Sequence, residues 1–132
     1  MHWPERFSES ADAVFEAAGR GDVHAIAPQL WSAECANGCW KRVRRGLATR
    51  EEALENYRRI SALPITLIDT THLAEHACIM ALELGITVYD ALYVATALFA
   101  KATLVTLDGA LVDAVRRGDL GVAIQHAQDF AA

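Results

Sequence analysis

Three acidic side chains lie within or directly after apolar stretches of the sequence. Glu34 stands in "WSAECANG", Asp90 in "GITVYDALYVATAL", and Asp108 follows "TLVTL". Two carboxylates 4–5 Å apart repel each other by about 3–4 kcal/mol at an effective dielectric constant of 20. A cluster of them is therefore stable only when a proton or a cation lies between them. Oxygen ligands without His or Cys suit Mg²⁺ or Mn²⁺, and the chemistry such an ion supports is hydrolysis of a phosphodiester by an activated water.

Each of these carboxylates also has an ordinary structural explanation. Asp90 stands three residues after Thr87, so the two could form a variant of the capping box at a helix start. Asp108 could cap the helix that follows it, and Glu34 could reach solvent from a helix edge. The sequence leaves both interpretations open, and they differ in whether the three side chains meet.

Short apolar strands alternate with helices along the chain, which predicts an α/β domain with a parallel sheet. In such sheets the functional residues collect at the carboxyl ends of the strands. Pro28 is expected at the first position of a helix that runs to Gly46, Thr49 and Glu52 form a capping box, and Gly85 ends a helix. The predicted strands are 23–27, 65–68, 102–106 and 121–124.

The composition bounds the possible functions. The 132 residues are 53% apolar, which is enough for one domain, 1–132, with a single core. A net charge of −5 argues against nucleic-acid binding through a broad basic surface. Three cysteines make no disulfide framework, and neither a signal peptide nor a spanning helix is recognised, so we expect no membrane contact and a cytoplasmic protein.

Three segments together resemble a known family: "APQLWSAECANGCWKRVRRG", "LGITVYDALYVATAL" and "ATLVTLDGAL", in this order. They are similar to the PIN-domain ribonucleases, most closely to VapC-type toxins of toxin–antitoxin pairs, over a region from Trp3 to about Leu111. The resemblance implies a PIN-like three-layer sandwich and a Mg²⁺-dependent (or Mn²⁺-dependent) endoribonuclease. It assigns Glu34, Asp90 and Asp108 to the acidic metal-binding group and places Thr106 beside it. The implied partners are RNA, a cognate antitoxin and a second copy of the chain.

The chain departs from this family at its start. The family begins with an apolar strand that ends in an aspartate, a few residues before a segment like "HWPE", and here that segment begins at His2. We therefore expect the first strand to be absent, either because the start codon is placed too late, because the copy is truncated, or because another chain supplies the strand. The competing hypothesis is an inactive PIN domain that only binds an antitoxin or dimerises.

The basic run "KRVRRG" starts at Lys41 and includes Arg45 on the same helical stripe. Its cations could simply favour the C-terminal end of a helix dipole. Alternatively, they guide phosphates towards Glu34, which stands one or two turns back on that helix. Lys41 and Arg45 are therefore candidate substrate-binding residues.

Two further patterns could hold zinc. "HLAEH" places His72 and His76 four residues apart, as in the inverted zinc peptidases, and Cys35 and Cys39 have the same spacing. The chain is short for a peptidase cleft, so surface histidines are the preferred interpretation. No His follows the cysteines at zinc-finger spacing, and we expect them to be small buried side chains.

Overall fold

The computed structural model describes residues 8–130, with side chains described from residue 12 onwards. The segment that contains "HWPE" lies outside the described residues. The elements in chain order are α1 (Ser8–Arg20), β1 (Ala25–Pro28), α2 (Leu30–Arg44), α3 (Arg50–Ser61), β2 (Ile65–Ile68), a 3₁₀ turn (Thr71–Leu73), α4 (Ala74–Leu84), α5 (Val88–Ala100), β3 (Leu104–Thr106), α6 (Gly109–Gly118), β4 (Ile124–His126) and a second 3₁₀ turn (Ala127–Asp129).

The predicted helix boundaries at Thr49 and Gly85 are confirmed. The Thr49 hydroxyl accepts the Glu52 backbone N–H at 3.1 Å, and the Glu52 carboxylate accepts the Thr49 N–H at 3.0 Å. This reciprocal pair satisfies two of the backbone donors that a helix leaves unpaired at its start. Gly85 ends α4 with φ +69°, a left-handed conformation that costs glycine little because it has no Cβ.

The strands form two parallel pairs, which confirms the predicted α/β class. β1 pairs with β2 and β3 pairs with β4, both in parallel register. No hydrogen-bonded ladder joins the two pairs within residues 8–130. The sequence predicts one parallel sheet, whereas residues 8–130 form two separate two-stranded parallel sheets.

An apolar cavity of about 660 Å³ lies where the two halves would have to be joined. All four residues of β1 line it, together with Leu104 and Val105 of β3. Val14 and Phe15 of α1 contribute to the lining from another side. Each of these strands has its hydrogen-bonded neighbour on one edge in the described chain, so the apolar cavity separates the halves of the sheet.

Three strands begin two or three residues later than predicted, at Ala25, Leu104 and Ile124, and β1 also extends to Pro28. Pro28 is the last residue of β1 instead of the first of α2, because its register partner Ile68 accepts a hydrogen bond from the next N–H, that of Gln29, at 2.9 Å. The missing N–H of proline is thus not needed by the ladder. The last strand begins three residues later than predicted, at Ile124, since Gly121 has φ +73° and belongs to a turn.

Two apolar clusters fix the helices that position the candidate site. The larger cluster joins α4, α5, α6, β3 and β4, and Ala77, Ala91 and Val94 in it are fully buried. The smaller cluster joins α2 to α3 through buried Cys35, Cys39, Ala53 and Ile60. Burying such side chains is the main favourable term that holds these elements against each other. α2 is anchored through the face that carries Cys35 and Cys39, whereas α5 is buried on several sides, with Val94 to Ala97 all buried.

No single helix between residues 8 and 130 is long and apolar enough to cross a membrane. The segments Thr71–Leu84 and Val88–Ala100 reach the required length and composition only as a pair, which is bent by 113°.

Removing the capping hydroxyl of Thr49 should lower the stability of the protein. Thr49→Ala loses the hydrogen bond to the Glu52 N–H and should reduce the free energy of unfolding by about 1 kcal/mol. Urea denaturation followed by circular dichroism measures this difference. Thr103→Ala, at an exposed loop threonine, is the matched control. Equal midpoints for the two variants would contradict the assigned cap.

Candidate active site

A second, smaller cavity contains two of the three predicted carboxylates. Its volume is about 240 Å³, and Glu34 of α2 and Asp90 of α5 both line it. Thr106, the last residue of β3, lines it as well. The remaining lining residues are Trp31, Cys35, Tyr93, Leu104, Val105 and Leu111. We call this space the acidic cavity.

Asp90 is held in the first turn of α5 by the cap of that helix. The Thr87 hydroxyl accepts the Asp90 backbone N–H at 3.0 Å, so the predicted capping role of Thr87 is correct. The Asp90 carboxylate nevertheless lines the acidic cavity. Burial, together with the negative charge of Asp108, raises the pKa of Asp90 above its ordinary value, although a hydrogen bond from Thr87 partly opposes this. The environment of Asp90 therefore disfavours its charged form.

Asp108 caps the helix that follows it, as one of the two interpretations of the sequence proposed. Its Oδ1 atom accepts the backbone N–H groups of Ala110 and Leu111 at 3.0 and 3.2 Å and so caps α6. It is not among the residues that line the acidic cavity. Its charge is still close enough to raise the pKa of Asp90. The structure thus brings Glu34 and Asp90 to one cavity and places Asp108 near Asp90.

Glu34 has a partner that the sequence analysis missed. The Tyr93 hydroxyl donates a hydrogen bond of 2.5 Å to Oε1 of Glu34. Burial, this hydrogen bond and the charges of Glu34, Cys35 and Asp90 all raise the pKa of Tyr93, so the phenol stays protonated and acts as a donor. The available signal was spacing, because Tyr93 is three residues after Asp90 and lies on the same side of α5.

Within the described residues, no basic side chain lines the acidic cavity. The ion pairs among the described residues are Arg20 with Glu16, Arg20 with Asp22, and Arg59 with Glu55, so none involves Glu34, Asp90 or Asp108. Glu34 is exposed and Asp90 is half-buried, so the unpaired charge of Asp90 carries an electrostatic cost that a bound cation would remove. The observation favours a cationic ligand over a structural ion pair.

The donor set fits a magnesium-like ion. No group of three or more His, Cys, Asp or Glu side chains is arranged to hold a metal within the described residues. Mg²⁺, however, is usually bound through one or two carboxylates, keeps several waters and shares phosphate oxygens with its substrate. Two carboxylates beside a cavity meet that requirement. They would not meet that of a structural zinc site, which needs four ligands.

The candidate substrate residues lie at different distances from this site. Thr106 lines the acidic cavity, and its hydroxyl accepts the Asp108 N–H at 3.1 Å, which leaves the hydroxyl proton available. Lys41 lies seven residues after Glu34 on α2, which is about 10 Å along the same helical stripe. Arg45 is the C-terminal cap residue of α2, about 16 Å away by the same rise. Both basic side chains are exposed.

The alternative zinc patterns gain no support. Cys35 and Cys39 are buried, and burial raises the pKa of Cys35 to about 12, so its thiol is a protonated packing group. His72 lies edge-on against Phe99, with 5.7 Å between the ring centres. The expectation that the cysteines are small buried side chains is confirmed.

Comparison with known proteins identifies the family. A PIN-domain sequence profile matches residues 4–116. Ribonuclease VapC3 of Pyrobaculum aerophilum is 34% identical over 117 residues, which cover 86% of this chain and 85% of that protein. PIN-domain nucleases of the VapC type generally depend on a divalent metal ion. The resemblance that the three sequence motifs indicated is confirmed, and the chain belongs to the PIN-domain family.

Proposed function

We propose that the protein is an endoribonuclease toxin of a type II toxin–antitoxin pair that hydrolyses RNA with Mg²⁺ or Mn²⁺. The observation that carries this proposal is that Glu34 and Asp90 line one cavity and that neither is paired with a basic side chain of the described residues. The similarity to a ribonuclease supports the choice of RNA as substrate.

In this proposal Glu34 and Asp90 hold the metal, and Asp108 adds negative charge close to Asp90. A divalent ion held by these residues would supply a water of lowered pKa and would neutralise charge on the leaving oxygen. Thr106 can donate its hydroxyl proton to a phosphate oxygen, because the Asp108 N–H occupies only an acceptor position on it. Cys35, which also lines the acidic cavity, is not a nucleophile, since burial keeps its thiol protonated.

Lys41 and Arg45 are proposed to guide the RNA backbone. They lie on the stripe of α2 that begins at Glu34, so phosphates that follow this stripe approach the acidic cavity. Their charge also offsets the repulsion that a protein of net charge −5 exerts on a polyanion.

The partner assignments belong to the same proposal. A VapC-type toxin works in the cytoplasm against RNA and is blocked by a cognate antitoxin, and the similarity to Ribonuclease VapC3 supports this assignment. We further propose that residues 1–132 form a single PIN-like domain. Two copies of this domain form a homodimer in this proposal.

A second candidate is an inactive PIN domain that retains only antitoxin binding or dimerisation. Two observations favour it. No three-ligand metal group is present between residues 8 and 130, and the apolar cavity separates the two halves of the sheet. That cavity is where a further strand between β1 and β3 would lie, and such a strand would have to come from residues outside the described chain or from another chain.

Cleavage of RNA should require both a divalent ion and the Asp90 carboxylate. With Mg²⁺ or Mn²⁺, the wild-type protein should cut at least one species in a pool of total cellular RNA, and EDTA should abolish the cutting. Asp90→Asn should lower the rate by about 100-fold or more, because an amide oxygen is a far weaker ligand than a carboxylate. Gel electrophoresis of end-labelled RNA measures the rate.

Asp119→Asn is the matched control for this assay. Asp119 is exposed and adopts the left-handed conformation at the end of α6, which asparagine also tolerates. Cleavage that is equal in Asp90→Asn and the control, or that persists in EDTA, would remove Asp90 and the metal from the mechanism. Absence of any cleavage by wild type would favour the inactive domain.

The metal-free protein should become more stable when Asp90 is neutralised. The raised pKa of Asp90 means that the folded state binds its proton more tightly than the unfolded state does. The resulting stability is present below the ordinary carboxyl pKa and is lost as the pH rises through the raised value. In EDTA, Asp90→Asn should therefore unfold at a higher urea concentration than wild type at pH 7, and the difference should vanish towards pH 3.

Asp119→Asn, at the exposed end of α6, is the surface control for this comparison as well. A wild-type protein that is more stable than Asp90→Asn at pH 7 would show that Asp90 is satisfied without a cation.

A further inference from the structure

The hydrogen bond between Tyr93 and Glu34 joins two helices that are far apart in sequence. Tyr93 lies on α5 and Glu34 on α2, 59 residues away. The bond connects the α2 carboxylate of Glu34 to α5, the helix that carries Asp90. Both partners and Asp90 line the acidic cavity.

Tyr93 itself is fixed from two sides. Its ring is half-buried and packs against the larger apolar cluster, and it lines the apolar cavity as well as the acidic cavity. A ring held in this way has little rotational freedom, so its hydroxyl has a defined position. The Glu34 side chain, by contrast, is exposed and would sample several rotamers without a partner.

The geometry leaves Glu34 free to bind a cation. A carboxylate has two oxygens and can accept several hydrogen bonds, and Tyr93 contacts only Oε1. The second oxygen remains available as a ligand. Groups that orient a metal ligand through a hydrogen bond commonly change metal affinity by about 10- to 100-fold when they are removed.

We propose that Tyr93 is a positioning residue that holds the Glu34 carboxylate in place to bind the divalent ion together with Asp90. The inference rests on the proposed function, because it needs Glu34 to be a metal ligand. It adds a neutral side chain, Tyr93, to the acidic residues of the site and assigns it the role of fixing the position of Glu34.

A titration with Mn²⁺ alone tests this inference without an RNA substrate. Tyr93→Phe keeps the ring and its packing but removes the donor. Isothermal calorimetry should give a Kd for Mn²⁺ about 10- to 100-fold higher than that of wild type. Tyr89→Phe, at an exposed tyrosine one turn earlier on α5, is the matched control and should leave the Kd unchanged.

Thermal melts separate positioning from a merely structural role. If Tyr93 positions Glu34, the Mn²⁺ concentration at which the melting temperature rises should shift upwards for Tyr93→Phe. A structural role would instead lower the melting temperature by the same amount at every Mn²⁺ concentration, and this would overturn the inference. A lower Kd for Tyr93→Phe would also overturn it, since the hydrogen bond would then hold Glu34 away from the ion.

The outcomes distinguish this inference from the proposed function. If wild type shows no Mn²⁺ binding, both fail. If wild type binds Mn²⁺ and Tyr93→Phe has the same Kd, only the role of Tyr93 is rejected. If Tyr93→Phe weakens binding as expected but wild type cuts no RNA, the positioning role stands and the ribonuclease proposal fails.

Discussion

The negative charge at the acidic cavity, which no ion pair among the described residues offsets, is the electrostatic constraint on the candidate site. Glu34 and Asp90 reach the acidic cavity from two helices, and Asp108 lies close enough to oppose the ionisation of Asp90. No described arginine or lysine is paired with them. Burial and the charge of Asp108 disfavour the ionised form of Asp90, and a bound cation would reverse this effect. A carboxylate whose surroundings disfavour its charge is typical of functional sites.

The elements that bring these charges together are themselves stabilised by ordinary helix and core interactions. Thr87 caps α5 and fixes the turn that carries Asp90, whereas Asp108 caps α6 directly. Buried alanine and valine side chains hold α5 against its neighbours, and buried cysteines hold α2 against α3. The structural and the electrostatic explanation of Asp108 are therefore compatible. Asp108 caps α6, and its negative charge also raises the pKa of Asp90.

Sequence reasoning succeeded where a local rule applies and failed where long-range geometry decides. The capping box at Thr49, the helix end at Gly85 and the burial of Cys35 follow from spacing and residue type. The placement of Pro28 in a strand depends on its register with Ile68, which no local pattern encodes. The hydrogen bond from Tyr93 to Glu34 spans 59 residues and was missed for the same reason. The apolar cavity between the half-sheets likewise appears only when the strands are placed in space.

The most direct test of the account is to locate a bound ion. Crystals of the protein soaked in Mn²⁺ and measured at the manganese absorption edge should show an anomalous difference peak in the acidic cavity. The account predicts this peak within about 2.0–2.5 Å of oxygen atoms of Glu34 and Asp90. A cavity that contains only water, with the two carboxylates turned towards separate solvent regions, would contradict it.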